Sequence, residues 1–405
     1  MLIQKAYKFR LEPTDIQAQR LRQLCGCARF VWNYGLAETK RVLDSGNKLP
    51  SYFDLNKLLT AWKKQEDMTF LAEGYTDNLQ QKLKDLHTAW KRCFDKKLAA
   101  NAPVFKKKSD GRDSIRFVNF NKYCELRARR VKMPSGLGWI KFRQSREIAG
   151  NVKNATITQK GEHWFISFQV EFEVESPKHT STSMVGLDAG ISKLATLSDG
   201  TVFTPVNSFK SSQEKLAKLQ RKLSRKVKFS SNWKKQKRKI QKLHTQIADT
   251  RRDYLQKVTT TISKSHAMIV IEDLKVSNMS KSAAGNPGRN VAAKSGLNKA
   301  ILDQGWCELR RQLEYKQSWS GGQVLAINPA YTSQKCACCG HTSKENRKSQ
   351  SSFVCLECGY TENADINGAR NILAAGHVVL ACEVNGASMP SAAGTRQLSD
   401  QLVTL

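Results

Sequence analysis

The 405-residue sequence predicts a mixed α+β chain built from several domains. Three observations predict it. Apolar residues recur at steps of three and four through the first hundred positions. Short alternating runs broken by Gly and Pro then fill residues 101–180. After that, apolar strands alternate with helical runs up to a pair of cysteine knuckles.

The first stretch, to about Phe9, alternates like a short strand. A helical region follows to about residue 98, where Leu79, Leu83, Leu86, Trp90 and Phe94 form an amphipathic stripe. Core packing is the plainer explanation of its two aromatic residues. Residues 101–180 are cut by Pro103, Gly111, Pro134, Gly136, Gly138 and Gly150, and read as a small β-barrel. Its clearest strand is His163–Glu173, with Trp164, Ile166, Phe168, Val170 and Phe172 on one face after a turn at Gln159-Lys160-Gly161.

The polar run 175–183 reads as a linker. Met184–Gly200 reads as two strands joined at Gly190, and Thr201–Thr204 as a third. Residues 214–257 keep helical spacing in two runs that meet near Phe229–Asn232. Ala267–Asp273 is a further strand, and 277–299, rich in Ser, Gly, Ala, Asn and Lys, reads as a mobile loop. A helix around Trp306, Leu309 and Leu313 and a strand at Gln323–Ile327 follow. Beyond Gly376 the chain is poor in charge, and a disordered tail is expected over 377–405.

Charge narrows the function. The chain has 67 Lys and Arg against 35 Asp and Glu, a net +32, with a pI near 9.8. So large an excess, spread along the chain, points to a polyanionic partner rather than to a small acidic substrate or a membrane surface. No run of about 18 apolar residues is present, so no transmembrane helix is expected. The first ten residues lack the apolar stretch of a signal peptide, so a cytoplasmic location with reduced cysteines is expected. Candidate phosphate contacts are Lys106, Lys107 and Lys108, followed by Arg112 and Arg116. The helix pair adds Arg221, Lys222, Arg225, Lys226, Lys234, Lys235, Lys237, Arg238 and Lys239. A merely solvated face is the competing account of both groups.

Two constellations carry chemistry. Cys336-Ala-Cys-Cys339 and Cys355-Leu-Glu-Cys358 are two C-x-x-C knuckles at the interval of a four-thiolate zinc ribbon. Cys338 does not fit the spacing. Four ligands leave no position for water, so the zinc would be structural. A redox dithiol is the weaker alternative.

The second constellation is acidic. Asp188 sits in Val185-Gly-Leu-Asp-Ala-Gly190, Glu272 ends Met268-Ile-Val-Ile-Glu272, and Asp365 opens a helix after the second knuckle. Carboxylates on buried strands are costly unless something joins them. Converging carboxylates suit Mg2+ or Mn2+, and three of them can hold two metals at a phosphodiester. Taken singly, Asp188 could be a turn residue, Asp365 an N-cap, and Glu272 a partner of lysine. Asp273 falls on the opposite strand face, and Asp199 before Gly200 reads as a hairpin residue.

A strand with Asp, hairpin strands, helices, a strand with Glu and a helix with Asp follow the order of an RNase H-like nuclease. At these residues the sequence resembles the TnpB proteins of small bacterial insertion sequences, relatives of the type V CRISPR effectors. The resemblance spans about residues 3–375. It rests on Lys5–Pro13, Gly26–Asn33, Pro103–Lys106, Gly186–Ile191, Ile271–Leu274, Tyr331–Gln334 with the knuckles, and Asp365–Ile372.

The resemblance implies a β-barrel wedge domain (1–12 and 99–180) and a helical recognition region (13–98). It implies a RuvC-like α/β nuclease domain (181–334 and 360–376) with an inserted zinc ribbon (335–359). It implies a guide RNA from the element's own end and cleavage of double-stranded DNA beside a short element-adjacent motif. Asp188, Glu272 and Asp365 fall on the family's catalytic positions, the four knuckle cysteines on its zinc positions, and 277–299 on its active-site lid. Two alternatives stand beside this expectation: an RNA-guided DNA-binding repressor that does not cut, and an unguided RuvC-like nuclease. A DDE transposase fits less well, because the knuckles lie between the second and third acids.

Overall fold

The computed structural model describes residues 2–98, 100–108, 111, 113–285 and 290–384. The chain divides into two compact units, Met1–Glu175 and Ser176–Leu405, so the boundary falls within the polar linker.

In the first unit, β1 (Leu2–Glu12) leads into the helices α1 (Asp15–Asp44), α2 (Tyr52–Trp62) and α3 (Thr76–Phe94), with a 3-10 segment at Glu66–Glu73. Thr14 and Ser51 start α1 and α2 through reciprocal capping bonds with Gln17 and Asp54. Strands β2 (Ser114–Phe117), β3 (Glu125–Arg127), β4 (Arg130–Met133), β5 (Gly138–Arg143), β6 (Asn151–Lys160) and β7 (His163–Glu173) follow, with a short helix α4 (Phe120–Tyr123) between β2 and β3.

These seven strands form one antiparallel sheet in the order β2-β6-β7-β1-β5-β4-β3. The first strand therefore lies in the middle of a sheet made otherwise from residues beyond 113. No pairing joins β2 to β3 among the described residues, so the expected closed barrel is a sheet with two edges. Its inner face, including Phe9, Ile157, Ile166 and Phe168, shares a core with Leu21, Leu24, Val31, Leu55 and Leu79 of the helices. Phe94 departs from the expected stripe. It stacks on Trp90 at 5.5 Å but is 51% exposed, because the helix ends there.

The second unit is built on a five-stranded sheet in the order β10-β9-β8-β11-β12. Its strands are β8 (Met184–Asp188), β9 (Ala195–Leu197), β10 (Val202–Phe203), β11 (Met268–Glu272) and β12 (Gln323–Ile327). Strands β8, β11 and β12 are parallel to one another, and the β8–β9–β10 hairpins are antiparallel. The turn residue Asp199 accepts from the Thr201 amide at 2.8 Å, with Gly200 at φ +91°.

The helices are α5 (Ser208–Ser224), α6 (Ser231–Ser265), α7 (Val276–Met279), α8 (Val291–Gln304), α9 (Trp306–Ser320) and α10 (Ala364–Val384). A two-stranded ribbon, β13 (Ser352–Val354) and β14 (Thr361–Asn363), carries the second knuckle. Helices α7 and α8 occupy much of the segment expected as a loop. The Asn290 side chain caps α8 by accepting from the Ala293 amide at 2.9 Å, and the alanine-rich run after it propagates the helix. Helix α10 continues through Gly376 to Val384, where disorder was expected from 377. No breaker interrupts His377–Val384, and residues 385–405 lie outside the described residues.

Among the described residues, no helix is long and apolar enough to cross a membrane.

Period two divides the second sheet between its two sides. Val185, Leu187, Ile269 and Ile271 share a core with Leu255, Val258 and Ile262 of α6 and Trp306, Leu309 and Leu313 of α9. Gly186 and Val270 face the other way, toward α10. A Cβ on Gly186 would lie 2.1 Å from the Ala369 carbonyl oxygen, and one on Gly376 2.5 Å from a Val270 methyl. At Gly186 helix and sheet therefore touch backbone to backbone, and at Gly376 the helix backbone rests on the Val270 side chain.

Candidate metal and nuclease centre

The same alternation places the acids. Asp188 and Glu272 end β8 and β11 on the α10 side, two residues beyond Gly186 and Val270. The pairing of Leu187 with Ile271 sets the two acids level, at the carboxyl ends of neighbouring parallel strands. Open α/β sheets build sites at such ends. Helix α10 brings the third acid, Asp365, in its first turn. Glycine at 368 leaves room there, since a Cβ would already lie 3.4 Å from Asp188 Oδ2.

Electrostatics report the convergence. Burial, and then the charges of Glu272 and Asp365, push the Asp188 carboxyl up to about 7. Burial also raises Glu272, against the Thr332 hydroxyl, which donates to Glu272 Oε1 at 2.6 Å. Asp365 is paired with Lys193 at 3.1 Å and Arg347 at 3.6 Å. The commonplace roles do not fit these positions. Asn363, not Asp365, starts α10, its side chain accepting from the Asp365 amide at 3.1 Å. Glu272 bonds Thr332 rather than a lysine. Asp273 turns to the other face and pairs with Arg310 at 2.6 Å. Lys193, Arg347 and Thr332 were not singled out from sequence. Each is distant along the chain from the acid it contacts, and none stands in a periodic pattern.

The sulfurs of Cys336, Cys339, Cys355 and Cys358 lie within 4.8 Å of one another, with Cys336–Cys358 at 3.8 Å and Cys339–Cys355 at 3.6 Å. A tetrahedron with Zn–S bonds of 2.3 Å has sulfurs roughly 3.8 Å apart, so this donor set fits zinc and suggests it. The knuckles are built alike. Gly340 and Gly359, at φ +80° and +68°, close turns onto the carbonyls of Cys336 and Cys355. Cys338 is exposed and stays outside the cluster.

Buried asparagines tie this module together and to α10. The Asn367 side chain accepts from the Ala337 amide (2.9 Å) and donates to the Lys335 carbonyl (2.8 Å). Asn371 donates to the carbonyls of Thr332 (2.9 Å) and Lys335 (2.6 Å). Asn346 bridges the two knuckles through Gln334, His341 and Leu356.

The basic candidates behave differently from one another. Lys106 Nζ lies 3.5 Å from the centre of the Trp32 ring, and its backbone exchanges hydrogen bonds with the Asn33 side chain at 3.0 and 2.8 Å. Burial around the ammonium lowers it to about 8, although the residue as a whole keeps exposed surface. Lys106 therefore helps to strap its segment onto α1. Lys107 and Lys108 are exposed, as are Arg221, Arg225, Lys234, Lys235 and Arg238, while Lys226 is half-buried. Arg112 lies outside the described residues.

An Escherichia coli (strain K12) protein, InsQ, named as a candidate RNA-guided DNA endonuclease, is 58% identical over 381 residues, covering 93% of this chain and 94% of its own. The chain belongs to the TnpB family. The family model described as "Probable transposase", OrfB of IS605, matches residues 167–283 of this TnpB chain, and a "Cas12f1-like, TNB domain" matches 306–372. A "Helix-turn-helix domain" matches 1–48, which here form a strand and one long helix. A Streptomyces pristinaespiralis protein, likewise named as a candidate RNA-guided DNA endonuclease, is 34% identical over 94% of this chain and 91% of its own. In fold, the TnpB chain resembles the protein of a Cas12f1–sgRNA–target DNA complex, with a TM-score of 0.52 and 13% identity over 92% of this chain and 98% of that one.

Proposed function

We propose that the chain is an RNA-guided DNA endonuclease that cuts double-stranded DNA beside a short element-adjacent motif by metal-dependent phosphodiester hydrolysis. The guide would come from the end of the insertion sequence that encodes the protein. Residues 1–12 and 99–180 would serve as the wedge domain and 13–98 as the recognition region. Residues 181–334 and 360–376 would be the RuvC-like nuclease, with 335–359 as its zinc ribbon.

The observation that carries this reading is the meeting of Asp188, Glu272 and Asp365 at the carboxyl end of β8 and β11, with Asp188 raised by burial and then by the charges of the other two. Their oxygen donors suit Mg2+ or Mn2+, which would relieve that repulsion. When bound there, such ions supply Lewis-acid activation of water and stabilisation of the leaving oxygen. The chain's own residues orient the acids. Thr332 holds Glu272 by its hydroxyl, and Lys193 and Arg347 hold Asp365. Cys336, Cys339, Cys355 and Cys358 would hold structural Zn2+. The guide would read sequence by base pairing while the protein grips backbones.

The test is cleavage of a DNA carrying a match to the RNA that co-purifies with the protein, with Mg2+ present. Asp188→Ala should abolish cutting and leave binding intact. Cleavage by that variant removes the acids from the chemistry. Cleavage that survives removal of all RNA indicates the unguided nuclease, and binding without cutting by the native protein indicates the repressor.

A further inference from the structure

Helices α5 and α6 form a hairpin whose small core, Leu216, Leu243 and Ile247, lies well back from its tip. The outermost tie is Gln236, which donates to the Leu219 carbonyl at 2.9 Å. Beyond it, two large apolar residues face water: Val227 is 80% exposed and Phe229 65%. Phe229 is held at φ +71°, a conformation unfavourable for a bulky L residue. Its ring lies 5.5 Å from that of Trp233, with Lys228 and Lys237 at 5.3 and 5.2 Å from the two rings. Ser230 caps α6 through the Trp233 amide at 3.2 Å. A purely local role as a hydrophobic staple would bury Phe229, and it does not.

The surroundings identify the partner. From Lys215 to Ala248 the sequence holds 13 Lys or Arg and no acid. Like charges at that density attract phosphate. An aromatic pair set among them adds a surface for the flat face of a base, available only where a base is unstacked. The tip is a projecting knob rather than a groove, and so suits a loop or bulge of folded RNA better than a continuous single strand threaded through a channel.

We infer that the Phe229–Trp233 tip of the α5–α6 hairpin stacks on an unpaired base of folded RNA, while the lysines around it hold the flanking phosphates. The inference rests on the proposed function in taking RNA as the partner.

The experiment measures binding of the full-length protein to three probes over a salt series: the co-purifying RNA, the same RNA with its loops closed by complementary DNA oligonucleotides, and single-stranded DNA of equal length. Phe229→Ala and Trp233→Ala are compared with Phe229→Tyr and Lys234→Ala, each checked for an unchanged thermal midpoint. Either Ala variant should weaken binding to the open RNA about fivefold or more without changing the salt slope. Lys234→Ala should lower that slope by about one, and Phe229→Tyr should bind as the native protein does. The loss should vanish on the loop-closed RNA. Equal affinity of both Ala variants for open RNA overturns the inference and leaves the proposed function standing. An equal loss on single-stranded DNA also overturns it, placing the tip on the DNA strand. A native protein that binds no RNA overturns both.

Discussion

Gly186→Ala should uncouple folding from cutting. A Cβ at this position would sit 2.1 Å from the Ala369 carbonyl oxygen, 2.7 Å from the Leu373 amide nitrogen and 3.0 Å from the Leu373 Cβ. Two of these neighbours are backbone, so no side-chain rotation relieves the clash. Ordinary contact begins at 3.4 Å. The helix must therefore retreat from β8 by about 1.3 Å, a displacement large enough to cost a positioned active site about 100-fold in rate. Asp365 lies one turn before Ala369 on the same face of α10, so the retreat carries it away from Asp188. The stability cost of overpacking is about 1–3 kcal/mol, which leaves a folded protein. The assay pairs single-turnover cleavage of a matched duplex with thermal unfolding and guide-RNA binding. The expected result is a fall in cleavage of about 100-fold, a modest drop in midpoint, and unchanged RNA affinity. Cleavage within threefold of the native rate would mean that the close approach of α10 to β8 does not set the position of Asp365.

Asp188→Asn should stabilise the magnesium-free protein while abolishing cutting. The folded carboxyl is raised to about 7 from an ordinary value of 3.8, so the native state holds a proton that the unfolded chain has released. The resulting penalty is absent below the unfolded value, grows as pH rises toward the folded value, and levels off above it. Unfolding midpoints in magnesium-free buffer should therefore favour the variant by a margin that widens from about pH 4 to pH 7. A margin flat with pH would contradict the convergence of the three acids. Asn367→Ala should keep the zinc and lose activity. It removes a fully buried side chain that bonds the Ala337 amide and the Lys335 carbonyl, at a cost of about 1–3 kcal/mol for each group left unsatisfied. Zinc analysis should find one equivalent, hydrogen exchange should quicken at residues 335–339, and cleavage should fall. Native cleavage by this variant would show that the clamp does not position α10.

Much of the chain was legible where its signals are local. Alternation delimits His163–Glu173, which is a strand with those bounds, and the strand expected at Gln323–Ile327 also has the expected bounds. The same parity separates Glu272 from Asp273, which turn to opposite faces of the sheet. The knuckle spacing singles out four sulfurs that lie together and leaves out Cys338. What escaped depends on long-range contact. Arg347 and Lys193 reach Asp365 from segments 18 and 172 positions away along the chain. Asn346, Asn367 and Asn371 look like surface polar residues until their backbone partners arrive to satisfy them. Composition misled at 277–299, where Ser and Gly suggested a loop but an Asn cap and an alanine-rich run make α8. Periodicity misled at Phe94, because the helix ends there before anything covers the ring.

Helix α10 explains why the knuckles stand between the second and third acids. At about 100° per residue, Asp365, Ala369, Ile372 and Gly376 fall within about 60° of one another. Ala369 and Gly376 meet the sheet at Gly186 and Val270, and Ile372 is buried against Val270. Asn367 and Asn371 fall on the opposite side, where they grip the backbone from Thr332 to Ala337. The helix is thus held on two sides, by an apolar sheet and by a hydrogen-bonded metal module. Thr332, which holds Glu272 by its side chain, gives its carbonyl to Asn371. One short segment before the first knuckle therefore touches both the second acid and the helix that bears the third. A metal that orders Cys336 and Cys339 also orders that segment. On this reasoning zinc held by the four cysteines would act on the proposed nuclease centre by fixing where Glu272 and Asp365 stand, although none of the four sulfurs belongs to it.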